Sequence, residues 1–402
     1  MTFKQDPILV FVYQTNPFVE GQGGGVRYVR QLASAIAEKG SQLVFFGAGG
    51  KAETRGNIRY IPVAKSADKT LLFMLKCAWA RWRYIGSQDA VVHVHRLYFA
   101  LPFLGRSIKC LATLHGRTFT VFPERFGPAL SRIVFPLFKA IEGWLLSRVD
   151  RIVAVSADVH DQFQTRHGDR VLSSEIRIIP SMVDLSAFRP KDSSYFTDRL
   201  GNHPVCLFVG RLAAVKNLPL LLEAWNIVAR RNTNARLAIV GDGELRDHLE
   251  SWVASMDSAP SVAMLGQVPP SAISDAISGA KVLLLTSHHE ASPTVVKEAL
   301  SCGIPVVSTP VGDVTSVIDD GRTGRIVASD ANKFADAIID VLGWEAVKDD
   351  IAMAARPVLE RCAPDQVAGE YLAIYEDLGY VLNSAALGEN HEVYISEPPS
   401  GT

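Results

Sequence analysis

The chain has 402 residues, 48% of them hydrophobic and 21% charged. This is enough for two or three domains, and it is unlike disordered, collagen-like or disulfide-scaffold compositions. The unbroken apolar runs, such as Ile8 to Tyr13 and Val282 to Leu285, fall far short of the ~18 residues of a membrane-spanning helix, and residues 1–7 do not read as a secretory signal, so a cytosolic protein is expected.

In chain order, Ile8 to Tyr13 reads as a strand, Gly21 to Gly25 as a loop, and Val26, Val29, Leu32, Ala33 and Ile36 as one face of a helix that Gly40 ends. Further strands are expected at Leu43 to Phe46, Val91 to His95, Leu111 to His115 and Arg151 to Ser156. The order then repeats. Val205 to Val209 reads as a strand and Leu218 to Val228 as a helix, followed by strands at Leu237 to Val240, Ala263 to Leu265, Val282 to Thr286, Pro305 to Ser308 and Gly324 to Val327. Strands that alternate with helices and are near-continuously apolar predict parallel sheets covered on both faces, hence two Rossmann-like α/β domains facing across a cleft. The Pro, Gly, Asp and Ser of Arg189 to Pro204 place the linker there, giving domains 1–190 and 204–382, the last helix free to pack back on the first domain, and a disordered tail 383–402.

Charge divides between these halves. Residues 1–190 carry 25 Lys and Arg against 14 Asp and Glu, the remainder 16 against 28, which predicts an anionic partner for the first half. Cys77, Cys110, Cys206, Cys302 and Cys362 are odd in number and widely spaced, so reduced thiols are expected.

Residues just after strands are the candidates for chemistry. Gly23-Gly24-Gly25 lets backbone approach an anion at a helix start, though it also reads as a plain flexible loop, and Tyr28 breaks the Gly-x-Gly-x-x-Gly pattern. His115 ends an apolar run and is either a ligand contact or a structural histidine. His93 and His95, alternating along a strand, are expected to face opposite sides and so to share no metal; adjacent His288 and His289 are no better, and no catalytic metal is expected. Gly210, Arg211 and Lys216 place two cations past the first strand of the second half, suited to a diphosphate or simply solvated. Gly241-Asp242-Gly243 is a strand-to-helix turn with or without a ligand role. Glu290 and Glu298 are eight apart, with Ser292 read as an N-cap and Pro293 as the first helical residue. Glu290 then lies on the loop and Glu298 inside the helix, an arrangement for two separate hydroxyl contacts rather than a facing acid and base. The amides of Thr294 and Val295 could hold phosphate.

Taken in order, these motifs resemble the retaining GT-B glycosyltransferases of family GT4. The resemblance covers roughly residues 8–380. It rests on Leu207-Phe-Val-Gly-Arg-Leu with Lys216-Asn217, Ile239-Val-Gly-Asp-Gly, Ser287-His-His-Glu-Ala-Ser-Pro-Thr-Val-Val-Lys-Glu-Ala-Leu, Gly303-Ile-Pro-Val-Val-Ser with Val311-Gly312, Thr113-Leu-His-Gly, Ile152-Val-Ala-Val-Ser and Ile179-Pro-Ser-Met-Val-Asp. It implies that Arg211 and Lys216 bind the donor diphosphate, Glu298 the ribose and Glu290 the transferred sugar, with His115 beside that sugar and the Gly24-Gly25 backbone near the phosphate. Many members carry Asn-Gly where Ser181-Met182 stands and Phe-Gly where Ser292-Pro293 stands.

The expected activity is therefore metal-independent transfer of a hexosyl group from a UDP- or GDP-sugar, with retention, in cell-surface glycan synthesis. No cofactor and no nucleic-acid partner are expected. Leu71 to Tyr84 and Leu130 to Leu146 mix apolar residues with Lys76, Arg81, Arg83, Arg132 and Lys139, as do helices lying on an anionic bilayer, which points to a lipid-linked glycan acceptor and a peripheral place on the membrane; core helices with basic edges are the alternative. A sugar-nucleotide epimerase or hydrolase and a catalytically silent nucleotide-binding protein are the competing functions.

Overall fold

The computed structural model describes residues 7–19, 24–65, 70–116, 122–168, 176–345 and 347–381. By internal contacts the chain divides into two compact units, residues 1–180 together with 364–402, and residues 181–363. The expected linker Arg189 to Pro204 thus lies inside the second unit, and the helix Pro364–Asp377 belongs to the first. Residues 383–402 lie outside the described residues. The division also revises the charge reading. The segment from Pro364 onward has seven acidic residues and no Lys or Arg, so the first unit carries 24 Lys and Arg against 20 Asp and Glu, and the second 17 against 22.

The first unit is built on an eight-stranded sheet: β1 (Ile8–Val12), β2 (Leu43–Ala48), β3 (Glu53–Arg55), β4 (Ile58–Ala64), β5 (Ala90–Val94), β6 (Ile108–Leu114), β7 (Arg151–Ala154) and β8 (Ile176–Ile178), in the order β3-β4-β2-β1-β5-β6-β7-β8. All neighbours are parallel except β3 with β4. The apolar runs of β2 and β5 are buried at every position, as central parallel strands require. The helix Gly24–Glu38 buries Val29, Leu32, Ala33 and Ile36 as its period predicts, and Pro364–Asp377 buries Val367, Ala368, Tyr371, Ile374 and Tyr375.

The second unit has six parallel strands, β9 (Val205–Val209), β10 (Arg236–Val240), β11 (Val262–Gly266), β12 (Val282–Leu285), β13 (Val306–Ser308) and β14 (Gly324–Ile326), in the order β11-β10-β9-β12-β13-β14. Alternate side chains feed two separate cores. Leu207, Leu283 and Leu285 pack with Val296 and Leu359 on one face, and Phe208, Leu237 and Leu284 with Trp225 and Phe334 on the other. Each such burial contributes about 1.5–3 kcal/mol relative to exposure. Strand order reverses direction between β1 and β5 in one sheet and between β9 and β12 in the other. In open α/β sheets, ligands bind outside the carboxyl ends of strands at such points.

Candidate functional site

In the second unit the reversal point is built by three loops. After β9 the segment Gly210-Arg211-Leu212 lies against Gly241-Asp242-Gly243, which follows β10: Gly210 N donates to Val240 O at 3.0 Å and Leu212 N to Asp242 O at 2.9 Å. The backbones are so close that a Cβ on Gly241 (φ +141°) would fall 1.8 Å from Gly210 O, and one on Gly243 2.5 Å from Leu212 O. Both glycines are dictated by this approach. The Asp242 carboxylate accepts from Gly243 N at 2.8 Å and faces Arg246 at 3.5 Å, so it shapes its own turn. Arg211, whose side chain is 64% exposed, makes a forked pair with Glu244 at 3.2 and 2.9 Å.

Lys216 ends a short turn after Arg211, and Asn217, left-handed at φ +49°, reverses the chain into the helix Leu218–Arg231. The loop after β12 is bonded to this turn, Thr286 Oγ1 donating to Lys216 O at 2.9 Å and His288 N to Val215 O at 2.9 Å. Adjacent strands thereby bring Lys216 Nζ to 2.6 Å from Glu290 Oε1, which also accepts from Ser287 Oγ at 2.7 Å. Gly312 (φ +59°) backs this loop; a Cβ there would lie 2.7 Å from Ala291 O.

The following helix runs Thr294–Ser301, with Pro293 at the cap and no side-chain cap. The expectation that Ser292 caps it and Pro293 is its first residue is therefore corrected: the Ser292 hydroxyl donates to Asp313 Oδ2 at 2.6 Å instead. The first-turn amides of Thr294 and Val295 have no acceptor within the helix, and the dipole at that end favours an anion. Glu298 lies further along the same helix at 2% exposure.

In the first unit, Gly24 opens the helix after β1, and a Cβ on Gly25 would meet the Tyr13 hydroxyl at 3.0 Å. Gly23 lies outside the described residues. His115 directly follows β6, its ring edge-on to Tyr28 with centroids 4.7 Å apart. The expectation that His93 and His95 face opposite sides is wrong: residues two apart on a strand share a face, and these rings lie 4.1 Å apart. His95 Nδ1 is 3.1 Å from His115 Nε2, and His93 bonds Tyr375 and Thr113, each at 2.7 Å. Thr113 and Tyr28 both reach the Tyr371 hydroxyl, at 3.0 and 2.8 Å. Burial first, and the neighbouring imidazoles second, push His93 and His95 well below the usual histidine range; burial and the Arg96 charge bring His115 to about 3. All three are neutral near pH 7, and no group of three or more His, Cys, Asp or Glu among the described residues is placed to hold a metal.

Arg96 is a further candidate, outside the motifs named from the sequence. It follows β5 as Arg211 follows β9, lies over the Tyr13 ring at 5.4 Å and donates to Tyr98 Oη at 2.9 Å. The signal was present: a cation immediately after an apolar strand run.

The chain matches the family described as Glycosyltransferase Family 4 over residues 22–187, and that described as Glycosyl transferases group 1 over residues 196–357. It is 24% identical over 294 residues to N-acetyl-alpha-D-glucosaminyl L-malate synthase of Bacillus anthracis, covering 72% of this chain and 73% of that protein. Among solved structures it is similar to sucrose-phosphate synthase from Thermosynechococcus elongatus, at TM-score 0.77 and 20% identity over 92% of this chain and 99% of the other. It is also similar to Anabaena HepE in complex with UDP-glucose, at TM-score 0.71 and 16% identity over 92% and 99%.

Proposed function

We propose that this chain, a glycosyltransferase that belongs to family GT4 and has the GT-B fold, transfers a hexosyl group from a UDP- or GDP-sugar to an acceptor hydroxyl with retention at the anomeric carbon. One observation carries the reading: Lys216 and Glu290 meet at 2.6 Å where strand order reverses, on loops that also carry Arg211 and the open first turn of the helix Thr294–Ser301. Cations and amides suit the diphosphate, carboxylates the hydroxyls.

In this reading Arg211 and Lys216 neutralise the charge that grows on the leaving diphosphate, with the amides of Thr294 and Val295 on its phosphate oxygens. Glu298 takes the ribose hydroxyls and Glu290 those of the transferred sugar. The bond from anomeric carbon to phosphate oxygen breaks, the acceptor oxygen bonds that carbon from the same face, and the acceptor proton leaves with the diphosphate. His115, held neutral, hydrogen-bonds the sugar rather than acting as an acid, and the two cations make turnover independent of added metal. That HepE is described with UDP-glucose supports testing uridine nucleotides first.

For the acceptor we favour a lipid-linked glycan reached from the cytoplasmic face of a membrane. Leu71, Leu75, Trp79 and Trp82 recur at helical spacing as one exposed stripe, Trp82 at 75% exposure, while Phe73, Cys77 and Ala80 bury the opposite side. Exposed Trp and Leu beside Lys76 and Arg83 are the composition of an interfacial helix. No helix among the described residues is long and apolar enough to cross a membrane.

Thermal denaturation with UDP, GDP, ADP and their common sugars tests the donor site. A ligand that binds only the folded state at 100 times its Kd adds about 2.7 kcal/mol of stability. Stabilisation by one nucleotide class is expected, and none with any of them at millimolar concentration sinks the assignment. Nucleoside diphosphate released only when acceptor is present then separates a transferase from a hydrolase or an epimerase.

A further inference from the structure

Lys297 is fully buried, at 0% exposure, within the helix Thr294–Ser301. Removing an ammonium from water is costly unless its charge and its N–H donors are met. Four oxygens meet them here: Asp313 Oδ2 at 2.8 Å, Ser292 Oγ at 2.6 Å, Ser181 Oγ at 2.9 Å and Ser181 O at 3.1 Å. The acceptors are also tied to one another. Ser292 Oγ donates to Asp313 Oδ2 at 2.6 Å and accepts from Ser181 N at 3.2 Å, and the two serine hydroxyl oxygens are 2.6 Å apart. Asp313 Oδ1 is buried with no hydrogen-bond partner among the described residues, so that carboxylate relies on Oδ2 for its contact with Lys297.

Three segments distant in sequence meet at this ammonium. Ser181 is the first residue of the second unit, Ser292 follows Glu290 by two, and Asp313 adjoins Gly312, whose backbone abuts Glu290 and Ala291. A buried ion pair is weak evidence for stability, since apolar residues of similar volume often do as well. Its placement therefore asks for another explanation. Ser181 and Ser292 moreover belong one each to the two dipeptides, Ser181-Met182 and Ser292-Pro293, at which the sequence differs from many members of the family, and the structure brings these two serines into contact.

We infer that Lys297 is a positioning residue: with Ser181, Ser292 and Asp313 it clamps the loop of residues 290–293, fixing Glu290 against the hydroxyls of the transferred sugar and so selecting among sugar epimers. The selecting role rests on the donor-site reading above; the clamp does not. Lys297→Met alone leaves Asp313 uncompensated and is expected to unfold, so the informative variants are K297M/D313N, which removes both charges, Ser292→Ala, and Ser292→Thr, which keeps the hydroxyl.

Hydrogen exchange on the full chain reads the clamp without reference to catalysis. Amides of residues 287–292 should exchange at least tenfold faster in K297M/D313N and Ser292→Ala, with β9 and β10 unchanged; wild-type exchange in that loop overturns the clamp. Binding and kinetics read the selection. Affinity for the bare nucleoside diphosphate should stay within twofold while kcat/KM for the nucleotide-sugar falls at least tenfold. Preference between gluco- and galacto-configured donors should narrow, and Ser292→Thr should restore it. Equal loss of nucleotide affinity and turnover, or an unaltered preference, overturns the selecting role. A wild-type chain that binds no nucleotide fails the donor reading and takes the selecting role with it, while exchange still decides the clamp.

Discussion

At the residue scale, Arg211 offers the cleanest separation of chemistry from folding. Its pair with Glu244 is largely exposed, and exposed pairs contribute ~0–1 kcal/mol, so Arg211→Ala should leave the denaturation midpoint nearly unchanged. If its guanidinium meets the leaving diphosphate, kcat should fall by about 10²–10³; turnover within a few fold of wild type removes Arg211 from the donor site. Lys216 is less exposed and bound to Glu290, so Lys216→Ala should lower both stability and kcat. Histidine sets a different test. His93 and His95 remain neutral when folded, whereas in the unfolded chain they titrate near ~6.5. Below that pH the unfolded chain takes up protons that the folded chain does not. The stability they contribute is thus complete above pH ~6.5 and is lost as pH falls toward their depressed folded values, at about 1.4 kcal/mol per group per pH unit. Melting temperature should drop between pH 7 and 5, and replacing either ring with an apolar one should flatten the slope; an unchanged slope contradicts the burial argument.

At the scale of elements, the paired turns after β9 and β10 depend on backbone contact that no side chain can enter. Gly241→Ala combines a Cβ 1.8 Å from Gly210 O with a positive φ. The strain and overpacking together should cost about 3 kcal/mol in chemical denaturation; a loss below ~1 kcal/mol means that the two turns can separate. The sequence made these turns visible because glycines stood between an apolar run and a helical period. It made most strands visible for the same reason: β2, β5, β9 and β12 are buried apolar runs. It concealed β4, where Arg59 and Pro62 interrupt the pattern, and β8, three residues long and mostly exposed. The sharing of one face by His93 and His95 is legible too, since the strand period of two settles it. Lys297 was not legible at all, because its partners Ser181 and Asp313 approach only through the fold.

For the whole molecule, the return of the chain from Pro364 onward into the first unit changes what net charge can say. With the residues from Pro364 onward counted in that unit, its excess of Lys and Arg over Asp and Glu is 4, against 11 for residues 1–190, so the charge argument for an anionic partner weakens and the case for a membrane leans on the stripe Leu71, Leu75, Trp79 and Trp82. Replacing Trp79 and Trp82 with Ser should abolish sedimentation with anionic vesicles at low salt and leave the melting temperature within about 2 °C, since both indoles are exposed and surface substitutions stay within ±0.5 kcal/mol. Equal sedimentation of variant and wild type would instead assign any binding to charge elsewhere.

That same return also sets an order in time. Chains leave the ribosome amino end first, and domains generally fold as units in that order. Here the first unit waits for the helix Pro364–Asp377, whose Tyr371 and Tyr375 close the hydrogen bonds of Thr113 and His93, whereas the second unit has its full complement of residues once Ala363 has emerged. The half begun first is completed last, so during synthesis the second unit can mature while the first still lacks a helix.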